Sequence, residues 1–284
     1  MRYAVAVAEE RSFTRAAERC FVVQSALSHQ IKALEKELGV TLFARSSRRV
    51  EPTAAGTAFV AAARQSLDAA ARAVADASGA TGHIRGTLTI GVIPTVTQID
   101  VPAVLARFHH AHPAVAIRLT GGSSDHFVRA IVAGEMDAAV LGLADATPPQ
   151  GVGSRVLARE RLVAVVPAGH PLAVRRRIRL HDLVDERFVD FPAGTPGRTQ
   201  SDLAFRAAGL RRAVAFEAGA TDLILGLVGH RLAVTLLSPA VVPESDRYRV
   251  LSVVDGPTRV EYLAWSNFNP SPATLALLAA AEHT

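Results

Sequence analysis

The sequence is poor in several residue types, and each shortage excludes a class of protein. Cys20 is the one cysteine among 284 residues, which excludes an intrachain disulfide, a two-thiol redox switch and a cysteine-cluster zinc site. We interpret Cys20 as small buried filler. No uninterrupted apolar run approaches ~20 residues, so no segment is expected to span a membrane. Acids at Glu9 and Glu10 interrupt the N-terminus before a signal-peptide core can form, which predicts a cytoplasmic protein.

Motifs that carry catalysis are also missing. The chain has no HExxH, no GxSxG and no Walker spacing in GTPGRT (194–199). His109, His110 and His112 cluster near a predicted helix end without matching carboxylates, and we interpret them as solvated. The sequence therefore predicts no enzyme, no catalytic residue, no metal site and no cofactor.

What is present indicates a globular protein of two or three units, since 49% of the residues are apolar and 20% are charged. Residues 1–58 hold nine Lys or Arg against six Asp or Glu, whereas residues 86–284 are nearly balanced. A basic N-terminal end favours a polyanionic partner there.

Residues 54–78 predict one alanine-rich helix. Val60, Leu67 and Val74 recur every seven residues, and Ala63, Ala70 and Ala77 form a companion seam. This pattern is typical of a short coiled coil, and we favour a dimer-forming linker; a helix buried on its own domain is the alternative.

After a break at 78–86, predicted strands and helices alternate. The strands are TLTIGVI (87–93), VAIRL (115–119) and 138–143, followed beyond a Pro/Gly-rich connector by RLVAVV (161–166), RFVDF (187–191), VAFEAG (214–219), LAVTLL (232–237) and VEYLAW (260–265). The βαβαβ order of the first series predicts a mostly parallel sheet covered by helices. Two such lobes joined by two crossings would leave a cleft, which is a common place for a ligand.

The pattern of residues 12–39 predicts two helices joined by a short turn. In the second helix Leu27, Ile31, Leu34 and Leu38 share one face. The opposite face carries Ser25, Ser28, His29, Lys32 and Lys36. Short polar side chains and cations on that face suit the major groove of DNA, although an ordinary solvated helix has a similar pattern. Arg45, Arg48 and Arg49 then form a basic hairpin tip suited to phosphate or the minor groove.

The whole chain resembles the LysR-type transcriptional regulators. The resemblance runs through AVAEERSFTRAAERC, QSALSHQIKALEKELGVTLFAR and RRVEPTAAG, and continues through GTLTIGVIPT, IVAGEMDAAVLG and RLVAVVPAGHPLA. It implies a multi-domain α and α/β fold: a winged helix-turn-helix (1–58), a linker or dimerisation helix (59–85) and an effector-binding domain (86–284). That domain would be two-lobed and similar to type 2 periplasmic binding proteins, with lobe I at about 86–160 and 262–284 and lobe II at about 161–261.

The resemblance also implies partners and site residues. The implied partners are double-stranded promoter DNA, a small-molecule effector, RNA polymerase and further copies of the chain in a homodimer or homotetramer. The DNA-binding candidates are Gln24, Ser25, Ser28 and His29 for bases, and Thr14, Arg15, Lys32, Arg48 and Arg49 for the backbone. The effector-binding candidates are Thr95, Val96, Thr97, Ser123, Ser124, Gly194 and Thr195. These loops precede helix N-termini, which suits a carboxylate effector, although a hydroxyl there can equally be a plain helix cap.

Three positions depart from the family pattern. Val23 stands where the family usually has a serine that caps the recognition helix, His29 where arginine is common, and Arg231 where glycine tends to follow a helix. The chain also starts about five residues inside the family's first helix. These departures keep one alternative open, a degenerate ligand-binding oligomer with weak DNA binding. A two-lobed solute-binding protein is a further alternative that fits residues 86–284, but the missing export signal and the N-terminal DNA-binding module argue against it.

Overall fold

A computed structural model of the chain describes residues 1–45, 50–79, 84–268 and 270–283. The chain divides into two compact units, Met1–Ala77 and Ser78–Thr284. Within the described ranges, no helix is long and apolar enough to cross a membrane. In those same ranges no three His, Cys, Asp or Glu side chains lie together as a possible metal site.

The first unit contains four helices and a two-stranded hairpin among its described residues. In chain order these are α1 (Arg2–Glu10), α2 (Phe13–Arg19), α3 (Gln24–Leu38), β1 (Phe43–Arg45), β2 (Val50–Pro52) and α4 (Ala54–Gly79). The strands pair antiparallel, with Ala44 opposite Glu51. Leu27 and Ile31 of α3 are buried in the core with Phe13 and Phe43, whereas Leu38, predicted on the same face, is 41% exposed.

The alanine-rich helix α4 begins as part of this unit. Val60 and Ala63 are buried, and Val60 belongs to the core of the unit. Gly56 allows the close approach, because a Cβ there would lie 1.9 Å from the carbonyl oxygen of Leu42. Val74, two heptads beyond Val60, is 61% exposed. The first turns of the predicted heptad repeat thus pack inside the unit, whereas Val74, further along α4, is exposed.

The second unit is a two-lobed α/β structure. Its elements in chain order are β3 (Gly86–Val92), α5 (Val101–Ala111), β4 (Val115–Gly121), α6 (Ser124–Val132), β5 (Ala138–Ala144), β6 (Gly153–Arg161), β7 (Val163–Pro167), β8 (Arg177–Ile178), β9 (Arg187–Asp190), α7 (Pro196–Ala207), β10 (Ala213–Glu217), α8 (Thr221–Gly229), β11 (Thr235–Leu237), β12 (Tyr248–Val253), β13 (Thr258–Trp265) and α9 (Pro272–Ala280).

Lobe I is built on a five-stranded sheet in the order β4-β3-β5-β13-β6. Strands β4, β3 and β5 are parallel, as the alternating pattern predicts, and β13 returns antiparallel beside β5. Strand β5 is buried along its whole length, and Phe108, Phe127 and Leu141 lie in the core around it.

Lobe II contains the sheet β11-β7-β12-β8 and the parallel pair β10-β9. An isolated bridge joins Phe188 of β9 to Val234, the residue before β11. Strand β7 is antiparallel to both of its neighbours, so this lobe is mixed. Strands β6 and β12 were not among the predicted strands. Because both alternate between covered and exposed positions, they lack the continuous apolar runs that revealed β5 and β7.

Candidate DNA-binding face and effector cleft

Helices α2 and α3 form the predicted helix-turn-helix. The side chain of Ser12 caps α2 by accepting the Arg15 N–H at 3.4 Å. In α3, Leu27 and Ile31 are buried toward α1 and α2. The carboxylate of Glu35 accepts the N–H groups of Leu42 at 2.8 Å and Phe43 at 3.1 Å, which ties the far end of α3 to the first strand of the hairpin. The outer face of α3 is therefore held in a fixed relation to this hairpin.

The DNA-binding candidates in the described residues lie on the surface. Exposed residues are Thr14, Arg15, Gln24, Ser25, His29 and Lys32, and Ser28 is half-buried. The structure therefore brings the α3 candidates to one accessible face. Arg48 and Arg49 lie outside the described residues, so their role stays a prediction.

Arg15 is less available than its exposure indicates. Its guanidinium donates to the carbonyl oxygen of Glu10, and Nε lies 3.6 Å from that residue's carboxylate. Arg19, Glu9 and Arg64 extend the same surface network. By contrast, no ion pair joins Lys32 to another residue in the described part of the chain. Lys32 is therefore the better placed of the two to contact phosphate.

The turn before α3 has two features that bear on recognition. Val23 occupies the N-cap position and provides no side-chain cap, as its residue type predicts. Phe21 was not singled out in the sequence; its backbone is left-handed at φ 57° and its side chain is 95% exposed. The sequence feature that could have identified Phe21 is its aromatic side chain just before the second helix of the predicted helix-turn-helix.

A cavity of ≈ 400 Å³ lies between the two lobes of the second unit. Lobe I contributes the ends of β3 and β4 and the start of α6, and lobe II contributes Phe191, Leu236 and the start of α7. Of the predicted effector contacts, Thr95, Ser123, Ser124 and Thr195 line the cavity. Val96, Thr97 and Gly194 are not among the described lining residues.

Thr97 has a partner inside the protein. The buried carboxylate of Glu261 accepts the N–H groups of Thr97 at 3.2 Å and Gln98 at 3.1 Å, and the Thr97 hydroxyl at 3.2 Å. A carboxylate thus does bind the donors of this loop, as expected for N–H groups before a helix, but it belongs to the chain itself. These donors are therefore already occupied within the protein.

Arg259 lies beside Glu261 at the cavity. Its Nη2 donates to Glu261 and to the carbonyl oxygen of Thr95, each at 2.7 Å, and Nη1 lies 3.3 Å from Glu160. Burial lowers the pKa of the Arg259 guanidinium from its usual value, and the two carboxylates oppose that effect. With two carboxylates around one guanidinium, this cluster has no uncompensated positive charge to offer a ligand.

The two helix N-termini at the cavity differ in their caps. Thr195 caps α7, accepting the Arg198 N–H at 3.4 Å and donating to the carbonyl oxygen of Pro192 at 2.7 Å. Ser123 occupies the N-cap of α6 without a side-chain cap bond. The neighbouring Ser124 hydroxyl donates to the carbonyl oxygen of Gly142 and accepts its N–H. Ser123 is therefore the cavity hydroxyl that remains uncommitted at a helix N-terminus.

A hydrogen bond crosses between the lobes at the cavity. Gln200 of α7 donates from Nε2 to the carbonyl oxygen of Gly142 on β5, at 3.3 Å, and both residues line the cavity. Gly142 lacks space for a side chain, because a Cβ would lie 2.9 Å from Nε of Arg259 and from Cδ1 of Ile93. A ligand in the cavity would consequently sit against the contact that joins the lobes.

Lobe II contains a second buried ion pair, away from the predicted contacts. Arg212 Nη2 lies 2.6 Å from the carboxylate of Asp190, and its guanidinium stacks over Phe188 and Phe205. Burial raises the pKa of Asp190 to about 6, although Arg212 opposes the rise. Asp190 is the last residue of β9, and its carboxylate also accepts the N–H of Phe191 at 2.7 Å, where the loop that leads to α7 begins.

Comparison with known proteins covers both units. Residues 1–57 match the model of the bacterial regulatory helix-turn-helix protein, lysR family, and residues 81–284 match the LysR substrate binding domain. A probable hydrogen peroxide-inducible genes activator of Mycobacterium avium is 34% identical over 252 residues, covering 88% of this chain and 80% of the relative. The transcriptional dual regulator GltC of Bacillus subtilis is 32% identical over 245 residues, covering 86% and 81%.

Solved structures agree with this assignment. A single-substitution variant of full-length OxyR from Pseudomonas aeruginosa superposes with a TM-score of 0.70 at 26% identity, over 99% of this chain and 92% of that one. Full-length CbnR in complex with its target DNA gives a TM-score of 0.71 at 24% identity, over 99% and 97%, and supports the fold. The chain therefore belongs to the LysR family of DNA-binding transcriptional regulators, proteins that are not enzymes and that combine a helix-turn-helix with an effector-binding domain.

Proposed function

We propose that this regulator binds promoter DNA through the outer face of α3 and the β1–β2 hairpin, and that a small carboxylate in the cleft changes that binding. The observation that carries the DNA contact is the exposed polar face of α3, where Ser25, His29 and Lys32 lie opposite the buried Leu27 and Ile31. Short polar side chains in the first turns suit base edges, and Lys32 further along suits phosphate.

We propose a homodimer or homotetramer as the active form, acting with RNA polymerase in the cytoplasm. The exposed Val74 on α4 supports association through that helix, because an apolar side chain there gains by packing on a second copy. Paired recognition helices would then bind a partly palindromic site.

The carboxylate class of effector is supported by the two helix N-termini at the cavity. The first turns of α6 and α7 both line it, and helix N-termini favour negative charge. Because Glu261 fills the loop at Thr97 and Gln98, we place the effector's carboxylate at Ser123 instead. The apolar side chains of Ile93, Leu162 and Phe191, which also line the cavity, would contact the rest of the effector.

The names of several relatives refer to hydrogen peroxide, but we do not propose that trigger for this chain. Cys20 is the only cysteine of the chain and lies in the helix-turn-helix, so the effector-binding domain has no thiol to oxidise. We therefore propose that a reversibly bound ligand in the cleft, and not oxidation of a thiol, is the trigger.

Footprinting of the purified chain on the DNA around its own gene tests the DNA contact. Ser28→Ala should change sequence preference, whereas Lys32→Ala should weaken binding to all sequences. Lys32→Ala should also reduce, by about 1 per protomer, the steepness with which the logarithm of the binding constant falls with the logarithm of the salt concentration. We expect Arg48→Ala to behave like Lys32→Ala. The absence of any protected site would favour the degenerate ligand-binding oligomer.

A pair of Ser123 variants tests the effector site. Aspartate and asparagine both cap helices well, so Ser123→Asp and Ser123→Asn should fold, but only the aspartate repels a carboxylate. In a thermal-shift screen of small carboxylates, a compound that stabilises the wild type should also stabilise Ser123→Asn and fail with Ser123→Asp. Equal stabilisation of both variants would place the carboxylate elsewhere.

A further inference from the structure

The turn between α2 and α3 presents two apolar side chains to solvent. Phe21 is 95% exposed and Val23 is 68% exposed, while Val22 between them packs partly against the core. No large apolar side chain in the described ranges is more exposed than Phe21. Folding of the unit therefore gains almost nothing from the phenyl ring of Phe21 and little from the side chain of Val23.

Local backbone chemistry does not account for these residues either. Phe21 adopts a left-handed backbone at φ 57°, which glycine or asparagine adopts more easily. Val23 stands at the N-cap of α3, where a serine would accept an N–H of the first turn and valine cannot. Both positions thus carry an apolar side chain where a small polar residue would suit the fold better.

Both side chains lie just before the start of α3. Val23 directly precedes Gln24 and Ser25, the exposed residues of the first turn of α3. In helix-turn-helix proteins the N-terminal residues of this helix contact base edges in the major groove. The base edges in that groove carry one apolar group, the 5-methyl of thymine. Valine can neither donate nor accept a hydrogen bond, so that methyl is the base feature it can read.

We propose that Val23 selects thymine at one position of each half-site through the 5-methyl group, with Phe21 covering the contact from water. This rests on the proposed function, because it takes the start of α3 into the major groove. Relative to a capping serine at the same position, the chain exchanges a polar contact for apolar base discrimination.

Substitution of deoxyuridine for thymine tests the proposal, because it removes the methyl group and keeps every hydrogen-bonding group of the base. Each thymine of the footprinted site is replaced in turn, and binding is measured by fluorescence anisotropy at fixed salt. Loss of one buried methyl contact should weaken wild-type binding about fourfold at one position per half-site, with other positions unaffected.

Val23→Ser is the decisive variant, since serine restores a helix cap and the protein should fold at least as well. It should bind the thymine and deoxyuridine sites equally. Val40→Ser is the matched control: Val40 is 44% exposed beyond the other end of α3, and this variant should keep the fourfold discrimination. Phe21→Asn, which suits the left-handed backbone, should reduce the discrimination without abolishing it.

The outcomes separate this proposal from the proposed function. A protected site with no thymine-to-deoxyuridine effect, or with the same effect in Val23→Ser, overturns the role of Val23 and leaves DNA binding intact. Absence of a protected site for the wild type overturns both.

Discussion

Lys32 in the DNA-binding unit and Arg259 in the effector-binding unit are both cations at a predicted binding site, but their surroundings differ. Lys32 is exposed, and no ion pair joins it to another described residue. The Arg259 side chain is 3% exposed and lies between Glu261 and Glu160, at 2.7 Å and 3.3 Å. The charge of Lys32 is thus available to a partner outside the chain, whereas the charge of Arg259 is neutralised within it.

This difference shows that a charged side chain beside a cavity need not be a ligand contact. Arg259 also donates to the carbonyl oxygen of Thr95, so its polar contacts fix the loop after β3. Glu261 binds the next part of the same loop at Thr97 and Gln98. The Arg259–Glu261 pair therefore shapes one wall of the cleft. Breaking this ion pair is the most severe test of the difference between the buried Arg259 and the exposed Lys32.

Glu261→Gln should cause the largest effect. It leaves the buried Arg259 with Glu160 alone, and removing one partner of a buried ion pair costs about 3–5 kcal/mol in unfolding free energy. The single tryptophan, Trp265, lies on the same strand β13, so urea unfolding followed by its fluorescence reports on this lobe.

Glu282→Gln is the control for that measurement. Glu282 pairs with Arg155 at 3.1 Å, but its side chain is 61% exposed, so its loss should cost less than ~1 kcal/mol. The double variant Glu261→Gln with Arg259→Met should recover only part of the lost stability, because it removes the buried guanidinium but leaves Glu160, whose side chain is 13% exposed, without this partner. Similar losses in Glu261→Gln and Glu282→Gln would remove the distinction between buried and exposed charge.

The same residues show how far sequence reasoning reached. The buried face at Leu27 and Ile31, the parallel strands β3 and β5 and the missing cap at Val23 were predicted, because periodicity and capping act over a few neighbouring residues. The bond from Thr97 to Glu261 joins residues 164 positions apart. No local pattern encodes that contact, which is why the sequence assigned the loop donors to an effector.

Within the effector-binding unit, Asp190 is a buried carboxylate beside the buried Arg212. Burial raises its pKa from 3.8 to about 6, so between these values the folded state holds more protons than the unfolded state. The stabilisation that this group contributes is therefore complete below pH ~4 and is lost as the pH rises through about 6. Relative to Asp190→Asn, the wild type should lose about 1–3 kcal/mol of unfolding free energy over that window.

Asp202 provides a control of opposite sign. It also pairs with Arg212, at 2.8 Å, but Arg212 and Arg198 hold its pKa below the ordinary value. Asp202→Asn should accordingly remove stability that the wild type has above pH ~4 and loses as the pH falls. Parallel pH profiles for Asp190→Asn and Asp202→Asn would contradict the assignment of burial as the dominant cause at Asp190.

The smallest expected effect concerns backbone conformation, where both units carry an arginine in an unfavourable position. Arg11 ends α1 at φ 49°, and Arg231 follows α8 at φ 62° with its N–H bonded to the carbonyl oxygen of Val228. Both side chains are exposed. Glycine adopts this left-handed region without the penalty caused by a Cβ, so Arg231→Gly and Arg11→Gly should each raise the unfolding free energy by about 1 kcal/mol.

Alanine at the same positions separates the backbone effect from loss of charge. Arg231→Ala removes the guanidinium but keeps the Cβ, so it should leave stability nearly unchanged, and Arg11→Ala should behave in the same way. Gly39→Ala gives the reverse measurement: Gly39 ends α3 at φ 69° with open space around it, so the added methyl meets no atom and the expected loss of about 1 kcal/mol comes from the backbone alone. If Arg231→Ala raised the unfolding free energy as much as Arg231→Gly, loss of the charge would be the cause, and not the left-handed backbone.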